Sequence, residues 1–295
     1  MNDDDERRVR ALTCWRDAGA LAIAPLAGGM TNANYLVHDG DARLVVRLGE
    51  DIPEHHVSRA AELAASRAAQ AAGVAPAVRH AAPGALVLEH VAGRTLAPED
   101  IAGNETLLER VVALVARAHG EIPRHLRGPA PAFWVFHIVR DYAATLAESR
   151  SPHAGELDAL LEVATSLERA AAPFDIVFGH NDLLAANLID DGERLWLVDW
   201  EYAGFNTPLF DLGGLATNNA LDETAERRML ERYFERAVDD ALWRRYLAMS
   251  CASLLRETLW SMVSELRSSL DVDYAAYTAE NRERFERARA RFAAL

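Results

Sequence analysis

Acidic and amide side chains cluster at the ends of two short apolar segments in the middle of the chain. These segments, residues 176–178 and 195–198, are rich in the β-branched and aromatic residues that favour strands. Residues 190–192, Asp-Asp-Gly, form a turn signal between them. We therefore predict a small sheet that presents six polar side chains at its loop ends: His180, Asn181, Asp182, Asn187, Asp199 and Glu201.

The spacing of these side chains fits phosphoryl transfer. An aspartate can accept the proton of an attacking hydroxyl, while amide and carboxylate oxygens are ligands that hold Mg²⁺ against nucleotide phosphates. In protein kinases, four residues separate the catalytic Asp from an Asn, and a metal-binding Asp follows. Asp182 and Asn187 have this separation, and Asp199 follows after a predicted strand. The pattern predicts a kinase-type site; the alternative is a polar turn with solvated acids.

The composition narrows the possible functions. The net charge of −14 over 295 residues disfavours nucleic acid as a partner, since nucleic-acid phosphates require a basic surface. No apolar run is long enough to span a membrane and the chain starts with an acidic stretch, so we expect a cytoplasmic protein without membrane insertion. Cys14 and Cys251 alone provide neither a disulfide framework nor a metal site.

The chain contains no lysine, because all 31 of its basic residues are arginine. Schiff-base chemistry and a P-loop lysine are therefore excluded. Any side-chain cation that contacts phosphates must be an arginine, whose planar fork suits phosphate oxygens.

A Gly-Gly turn near the start of the chain could contact a nucleotide. Backbone N–H groups in such a turn can lie over phosphates, although an ordinary hairpin turn gives the same pattern. The nucleotide-binding candidates of this segment are Gly28, Gly29, Thr31, Asn32 and Asn34.

Arg47 and Glu62 are candidates for orienting the phosphates. Arg47 lies on an alternating apolar segment, residues 44–48, and Glu62 lies in the middle of a predicted helix, residues 54–72. A helix glutamate that pairs with a strand cation is the arrangement of kinases. Both could instead be solvated surface charges.

Glu89, His90 and Val91 mark a predicted boundary between two lobes. Their backbone groups could meet an adenine, although a plain strand exit is the alternative. We predict a nucleotide-binding lobe over residues 1–90 and a helical catalytic and substrate lobe over 91–295. Apolar periodicity predicts further helices over residues 7–20, 105–120, 137–149, 155–172, 222–236, 239–266 with a break, and 273–293.

The segment 179–211 resembles the choline/ethanolamine kinases, a branch of the aminoglycoside phosphotransferase and protein-kinase-like superfamily. The resemblance is carried by His180-Asn181-Asp182 with Asn187, by Asp199-Trp200-Glu201-Tyr202, and by Asn206 with Phe210-Asp211. It implies an α+β, protein-kinase-like two-lobe fold with a small antiparallel-sheet N-lobe and a mostly helical C-lobe, and it implies ATP and Mg²⁺ as cofactors.

The resemblance also implies roles for individual residues. Asp182 would be the catalytic base, Asn187 and Asp199 would hold Mg²⁺ with Glu201 near a second ion, and Arg47, braced by Glu62, would touch the phosphates. An aromatic box for a quaternary ammonium would include Tyr202, Trp260, and Tyr274 or Tyr277. Glu257 stands where choline kinases often carry a second tryptophan, and its carboxylate could balance an ammonium.

We therefore expect an ATP-dependent kinase that phosphorylates the hydroxyl of a cationic amino alcohol, choline first and ethanolamine second. Kinases for thiamine or aminoglycosides, a nucleotide-binding pseudokinase and a metal hydrolase using His180 and Asp182 are the alternatives. The sequence leaves open whether the chain is a monomer or a homodimer.

Overall fold

A five-stranded antiparallel sheet occupies the first part of the chain in the computed structural model, which describes residues 3–26, 32–268 and 272–295. Its strands are β1 (Ala22–Leu26), β2 (Ala33–Asp39), β3 (Ala42–Leu48), β4 (Val78–Ala82) and β5 (Ala85–Glu89). They lie in the order β1-β2-β3-β5-β4, and each neighbouring pair is antiparallel. Gly40 and Gly84 have positive φ angles in the turns β2–β3 and β4–β5, a conformation that glycine adopts without strain.

Helices dominate the rest of the described chain. In chain order they are α1 (Asp3–Arg10), α2 (Arg59–Ala71), α3 (Pro98–Ala102), α4 (Glu105–His125), α5 (Val135–Glu148), α6 (Leu157–Ala171), α7 (Pro208–Asn218), α8 (Glu223–Phe234), α9 (Asp240–Arg267) and α10 (Tyr274–Ala293). The predicted order of a sheet-rich first part and a helical second part is therefore found.

Several predicted helices have different extents. The helix expected over residues 54–72 begins at Arg59, and the helix expected over 105–120 continues to His125. The helix expected over residues 7–20 ends at Arg10, because the chain folds back: Trp15 Nε1 donates to the Val9 carbonyl at 2.7 Å, and the backbone N–H of Arg16 donates to Asp39 at 3.0 Å. Helix α9 runs without the expected break, since residues 240–267 contain neither glycine nor proline.

Short strands lie on either side of residues 180–187, called the catalytic segment because it contains the predicted base Asp182 and the predicted magnesium ligand Asn187. They are β6 (Arg94–Thr95), β7 (Val177–Gly179), β8 (Leu188–Asp190), β9 (Leu195–Leu197) and β10 (Gly204–Asn206). The expectation that the two apolar segments share one sheet is wrong, because β7 pairs with β10 whereas β9 lies in the order β6-β8-β9. The turn at residues 190–192 gives β9 an immediate hairpin partner in β8, so β7 is left to pair with the next strand along the chain.

The apolar core is divided unevenly between the two parts. A small cluster beneath the first sheet includes Val9, Val37, Val46 and Val87. Helix α2 does not join it: Ala65, Ala68 and Ala69 of α2 pack in the large helical core with α4. The boundary at residues 90 and 91 remains a prediction, with α2, which precedes it, packed on α4, which follows it. No helix in the described ranges has the length and apolarity needed to cross a membrane.

Helix α7 meets α9 at a glycine. A Cβ atom on Gly213 would lie 2.8 Å from Cα and 2.9 Å from N of Ser250 on α9. A Cβ atom on the adjacent Gly214 would have Ser253 Oγ as its nearest neighbour at 3.5 Å, an ordinary van der Waals contact. The absence of a side chain at Gly213 therefore sets the distance between the two helices.

This contact predicts opposite effects for the same substitution at neighbouring positions. Gly214→Ala should raise the free energy of unfolding by about 0.5–1 kcal/mol, since alanine loses less backbone entropy in a helix than glycine. Gly213→Ala should lower it by about 1–3 kcal/mol through overpacking. Chemical denaturation measures both, with each variant serving as the control for the other. Equal shifts in the two variants would contradict the packing at Gly213.

Candidate active site

Asp211, in the first turn of α7, holds the start of the catalytic segment. Its carboxylate accepts hydrogen bonds from the backbone N–H groups of His180 and Asn181, both at 2.7 Å, and lies 2.8 Å from His119 Nε2. Although burial alone would raise it, the pKa of the Asp211 carboxyl is lowered, because His119 and the His180 N–H stabilise the charged form. One buried carboxylate therefore fixes the backbone of the two residues that directly precede Asp182.

Asn181 locks the same segment to the loop after β9. It has a left-handed backbone with φ 65°, and its amide donates to the carbonyls of Tyr202 and Gly204 at 3.0 and 3.2 Å. Asn206 donates in turn to Asn181 Oδ1 at 3.1 Å. These bonds satisfy a buried amide and join the segments that contain Asp182 and Glu201.

His180 is buried between the segment that contains Asp182 and the end of β9. Its Nε2 atom lies 2.9 Å from the carbonyl of Val198, and its ring meets Trp200 edge to face at 4.7 Å. Burial lowers the pKa of His180, so the ring is neutral and donates to that carbonyl. The geometry gives His180 a positioning contact at the end of β9, which argues against the metal-hydrolase alternative.

Asp182 and Asn187 are in direct contact. Asn187 Nδ2 donates to the Asp182 carbonyl at 3.0 Å and to Asp182 Oδ2 at 3.3 Å. Burial raises the pKa of the Asp182 carboxyl to about 8; Arg256 opposes the shift, while the negative charges of Glu257, Asp199 and Glu201 add to it. A carboxyl with a pKa near the working pH is suited to exchange a proton with a substrate.

Arg47, on β3, joins the first sheet to the acidic residues after β9. Its Nη1 atom lies 2.7 Å from Asp199 Oδ1, its Nη2 atom 3.4 Å from Glu201 Oε2, and its Nε atom 3.2 Å from Glu62 Oε1. The expected pair between Arg47 and the α2 glutamate is therefore present. Asp199 has a left-handed backbone with φ 66°, which places its carboxylate beside the arginine.

A second arginine, which was not predicted from the sequence, reinforces this cluster. Arg59 Nη1 lies 2.8 Å from Glu62 and 3.1 Å from Glu201, and Asn32 Nδ2 donates to the same Glu201 oxygen at 2.8 Å. The position of Arg59 three residues before Glu62 on one helix was a usable signal, because side chains at that spacing are neighbours.

Only some of the other residues predicted to contact a nucleotide lie in the part of the chain that the structure describes. Gly28, Gly29 and Thr31 lie outside the described residues. Asn34 faces Arg47 across the β2–β3 pairing. At the predicted hinge, the Glu89 side chain pairs with Arg79 and the N–H of His90 donates to the Arg43 carbonyl; the adenine contact of residues 89–91, which include Val91, stays a prediction.

The acceptor-side candidates come together around α9 and α10. Trp260 Nε1 donates to the Tyr202 hydroxyl at 3.0 Å, and the rings of Tyr274 and Tyr277 lie 6.2 and 6.3 Å from the Trp260 ring. The Tyr277 hydroxyl donates to Glu257 Oε1 at 2.8 Å. The predicted set of aromatic and acidic residues is thus one cluster.

Two further residues of this cluster were missed from the sequence. Arg256 is buried and contacts Glu257 at 2.8 Å; it lies one turn before Trp260 on α9. His55 reaches across from the loop before α2 and stacks on the Trp260 ring at 4.8 Å. Nothing in the local pattern around His55 predicts this contact, which depends on how the loop folds onto α9.

The oxygen donors around Arg47 and Asp182 are of the type that holds a magnesium ion together with nucleotide phosphates. Asn187, Asp199 and Glu201 supply amide and carboxylate oxygens, the ligand type that Mg²⁺ prefers. Within residues 3–26, 32–268 and 272–295, no cluster of three or more His, Cys, Asp or Glu side chains could cage a metal by itself. This is compatible with the usual magnesium chemistry of kinases, in which protein side chains supply only part of the coordination.

Comparison with known proteins places the chain in a family. Residues 22–248 match the model of the phosphotransferase enzyme family. The chain is 27% identical to ethanolamine kinase 2 of Mus musculus over 279 residues, which cover 84% of this chain and 71% of that protein.

Solved structures show the same architecture. A choline/ethanolamine kinase family protein from Mesorhizobium loti has a TM-score of 0.78 and 29% identity, covering 98% of this chain and 93% of that one. LicA in complex with AMP has a TM-score of 0.74 and 21% identity, covering 100% and 98%. The predicted kinase-like two-lobe α+β fold is confirmed. The chain is a phosphotransferase with an alcohol group as acceptor, and it belongs to the phosphotransferase enzyme family.

Proposed function

We propose that this small-molecule kinase transfers the γ-phosphate of ATP to the hydroxyl of a cationic amino alcohol. The observation that carries the proposal is the contact of Arg47 with Glu62, Asp199 and Glu201. It ties a strand of the first sheet to the acidic loop beside the catalytic segment, as a kinase site requires.

The positions of individual residues support the roles that we propose for them. Asp182 accepts or orients the proton of the acceptor hydroxyl, and Asn187 holds Asp182 through its amide. Oxygens of Asn187, Asp199 and Glu201 would hold Mg²⁺, which neutralises charge on the β- and γ-phosphate oxygens when bound with ATP. Arg47, braced by Glu62, adds positive charge on the nucleotide side.

The acceptor is proposed from the cluster around Trp260. Aromatic rings and a carboxylate are the groups that bind an ammonium, and Tyr202, Tyr274, Tyr277 and Glu257 surround Trp260. Choline and ethanolamine are both proposed, in agreement with the names of the relatives. We also propose a cytoplasmic location, where ATP is available, and a monomer or homodimer.

The direct experiment supplies ATP, Mg²⁺ and one acceptor at a time and measures the phosphate ester. Choline and ethanolamine test the proposal, and thiamine and an aminoglycoside test the other kinases of the superfamily. Turnover of an amino alcohol is the expected result. Turnover of thiamine or the aminoglycoside alone would reject the acceptor class, and ATP binding without any turnover would favour the pseudokinase.

Asp182→Asn should remove nearly all turnover while ATP binding stays close to that of the parent protein. The amide keeps the size and the contact with Asn187 but cannot accept a proton, and general-base catalysis contributes about 10²–10⁴-fold. Steady-state kinetics and nucleotide titration measure the two effects. Asp158→Asn, at an exposed carboxylate on α6, is the control. Near-normal turnover in Asp182→Asn would reject its role.

The rate should depend on pH through Asp182. The base must be ionised, and its pKa is raised to about 8 in the protein without nucleotide or metal. When ATP is kept well below its KM, kcat/KM reports the free enzyme and should rise between about pH 6 and pH 9. The measurement is kcat/KM as a function of pH with choline and with ethanolamine. Using both acceptors separates titration of the enzyme from titration of the primary amine of ethanolamine. A flat profile with both acceptors across this range would contradict a protonated Asp182 at neutral pH.

Arg47→Lys should reduce kcat/KM by about tenfold or more despite conserving the charge. The guanidinium reaches three carboxylates at once, which a single ammonium cannot reproduce in the same fork geometry. Arg43→Lys, an exposed position on the same strand, is the matched control and should leave the kinetics unchanged. Equal kinetics for both variants and the parent would show that Arg47 has no part in catalysis.

A further inference from the structure

The aromatic rings of the acceptor cluster are almost completely covered by the protein. Tyr202, Trp260 and Tyr274 are 6%, 4% and 6% exposed. A quaternary ammonium has no N–H to donate and is bound through contact with aromatic faces. The groups that cover these faces therefore decide which acceptors can bind.

Arg256 already occupies the cation position over Tyr202. Its Cζ atom lies 4.6 Å from the Tyr202 ring centroid and 5.6 Å from that of Phe133. The side chain is buried, with its residue 4% exposed. A guanidinium at this distance makes the cation–π contact that a ligand ammonium would otherwise make.

His55 covers the other large ring. It stacks on Trp260 with a centroid distance of 4.8 Å and an interplanar angle of 30°. Burial, and then the charge of Arg256, lower the pKa of His55 to about 3, so this cover is a neutral ring. The stacked face of Trp260 is consequently occupied as well.

The cluster also contains a partly exposed carboxylate, that of Glu257. Glu257 Oε2 lies 2.8 Å from Arg256 Nη1, and Glu257 Oε1 accepts the Tyr277 hydroxyl at 2.8 Å, while the side chain is 21% exposed. A carboxylate offers about four lone-pair sites, so it can accept further N–H groups. Asp182, Arg256 and Glu257 line one cavity of about 10 Å³, roughly the space of one water molecule.

We propose that Arg256 is a specificity-determining residue which makes this kinase select ammonium groups that carry N–H. The proposal rests on the proposed function. By filling the face of Tyr202 and holding Glu257, Arg256 replaces an aromatic cation site with a hydrogen-bonding one. A primary ammonium donates to Glu257 in this site. The methyl groups of choline instead meet the guanidinium and the stacked rings, and no hydrogen bond offsets the repulsion between the two cations.

The test is a ladder of acceptors that differ by single methyl groups. Values of kcat/KM are measured for ethanolamine, its N-methyl and N,N-dimethyl derivatives, and choline. The proposal predicts a stepwise decrease with an overall loss of about tenfold or more from ethanolamine to choline, since even one misfitting methyl group is worth about 10–200-fold in a fitted site. Choline turned over as well as or better than ethanolamine would overturn it and leave the proposed function intact.

Two variants test whether Arg256 and Glu257 cause the preference for ethanolamine over choline. Arg256→Met keeps much of the volume without the charge, and should shift the ratio of kcat/KM for choline over ethanolamine upward by about tenfold. Glu257→Gln keeps the shape, and should raise KM for ethanolamine with little change in kcat while choline is less affected. Arg244→Met, at an exposed arginine on the same helix, is the control and should leave the ratio unchanged.

The variants also separate positioning from a merely structural role. Equal losses for choline and ethanolamine in Glu257→Gln would overturn the proposal. If Arg256→Met does not fold, the proposal is still tested by the methyl series with the parent protein and by the separate effects of Glu257→Gln on ethanolamine and choline.

L-serine, which is ethanolamine with an added carboxylate, is included as an acceptor. A higher kcat/KM for L-serine than for ethanolamine would show that Arg256 binds an anionic group and would overturn the proposal. Absence of turnover with every amino alcohol would reject the proposed function itself.

Discussion

The buried cation of Arg47 is the constraint on which the active site depends. It contacts carboxylates from α2 and from the loop after β9, and these elements have no shared apolar core with the small cluster under the first sheet. Removing one partner from such a buried set costs far more than the set contributes, because it leaves the others uncompensated. The positions of Asp199 and Glu201 therefore depend on the strand that carries Arg47. In a chain without lysine, the cation at this position is an arginine, whose guanidinium can contact several carboxylates at once.

A second buried carboxylate, that of Asp211 on α7, positions the segment that contains Asp182. Asp211 binds two successive backbone N–H groups before Asp182 and is held by His119. Its own position follows from α7, which is set by the contact of Gly213 with α9. Since α9 also carries Arg256, Glu257 and Trp260, one helix relates the catalytic segment to the acceptor cluster. Arg256 completes this relation electrostatically: it partly offsets the rise that burial causes in the pKa of Asp182, and it pairs with Glu257 at 2.8 Å.

The sequence predicted the parts of this site that depend on local spacing. The interval from Asp182 to Asn187, the strand before Asp199 and the pair of Arg47 with Glu62 needed only motif spacing and secondary structure. The pairing of β7 with β10 was not predicted, because a three-residue strand carries too little pattern to choose its partner. The early helix ended at Arg10 because Trp15 and Asp39 supplied tertiary hydrogen bonds that override periodicity. Arg256 and His55 escaped notice for the same reason, since the rings that they cover, Tyr202 and Trp260, are distant from them in the chain.

The central claim is that Asp182 and the acids held by Arg47 converge on one nucleotide. A crystal structure with Mg²⁺, a non-hydrolysable ATP analogue and ethanolamine measures this directly. The account predicts one ion coordinated by Asn187 and Asp199 at the terminal phosphates, with the acceptor hydroxyl within about 2.6–3.2 Å of the Asp182 carboxylate. Asp182 and Asp199 facing separate pockets that no single nucleotide could reach would contradict it.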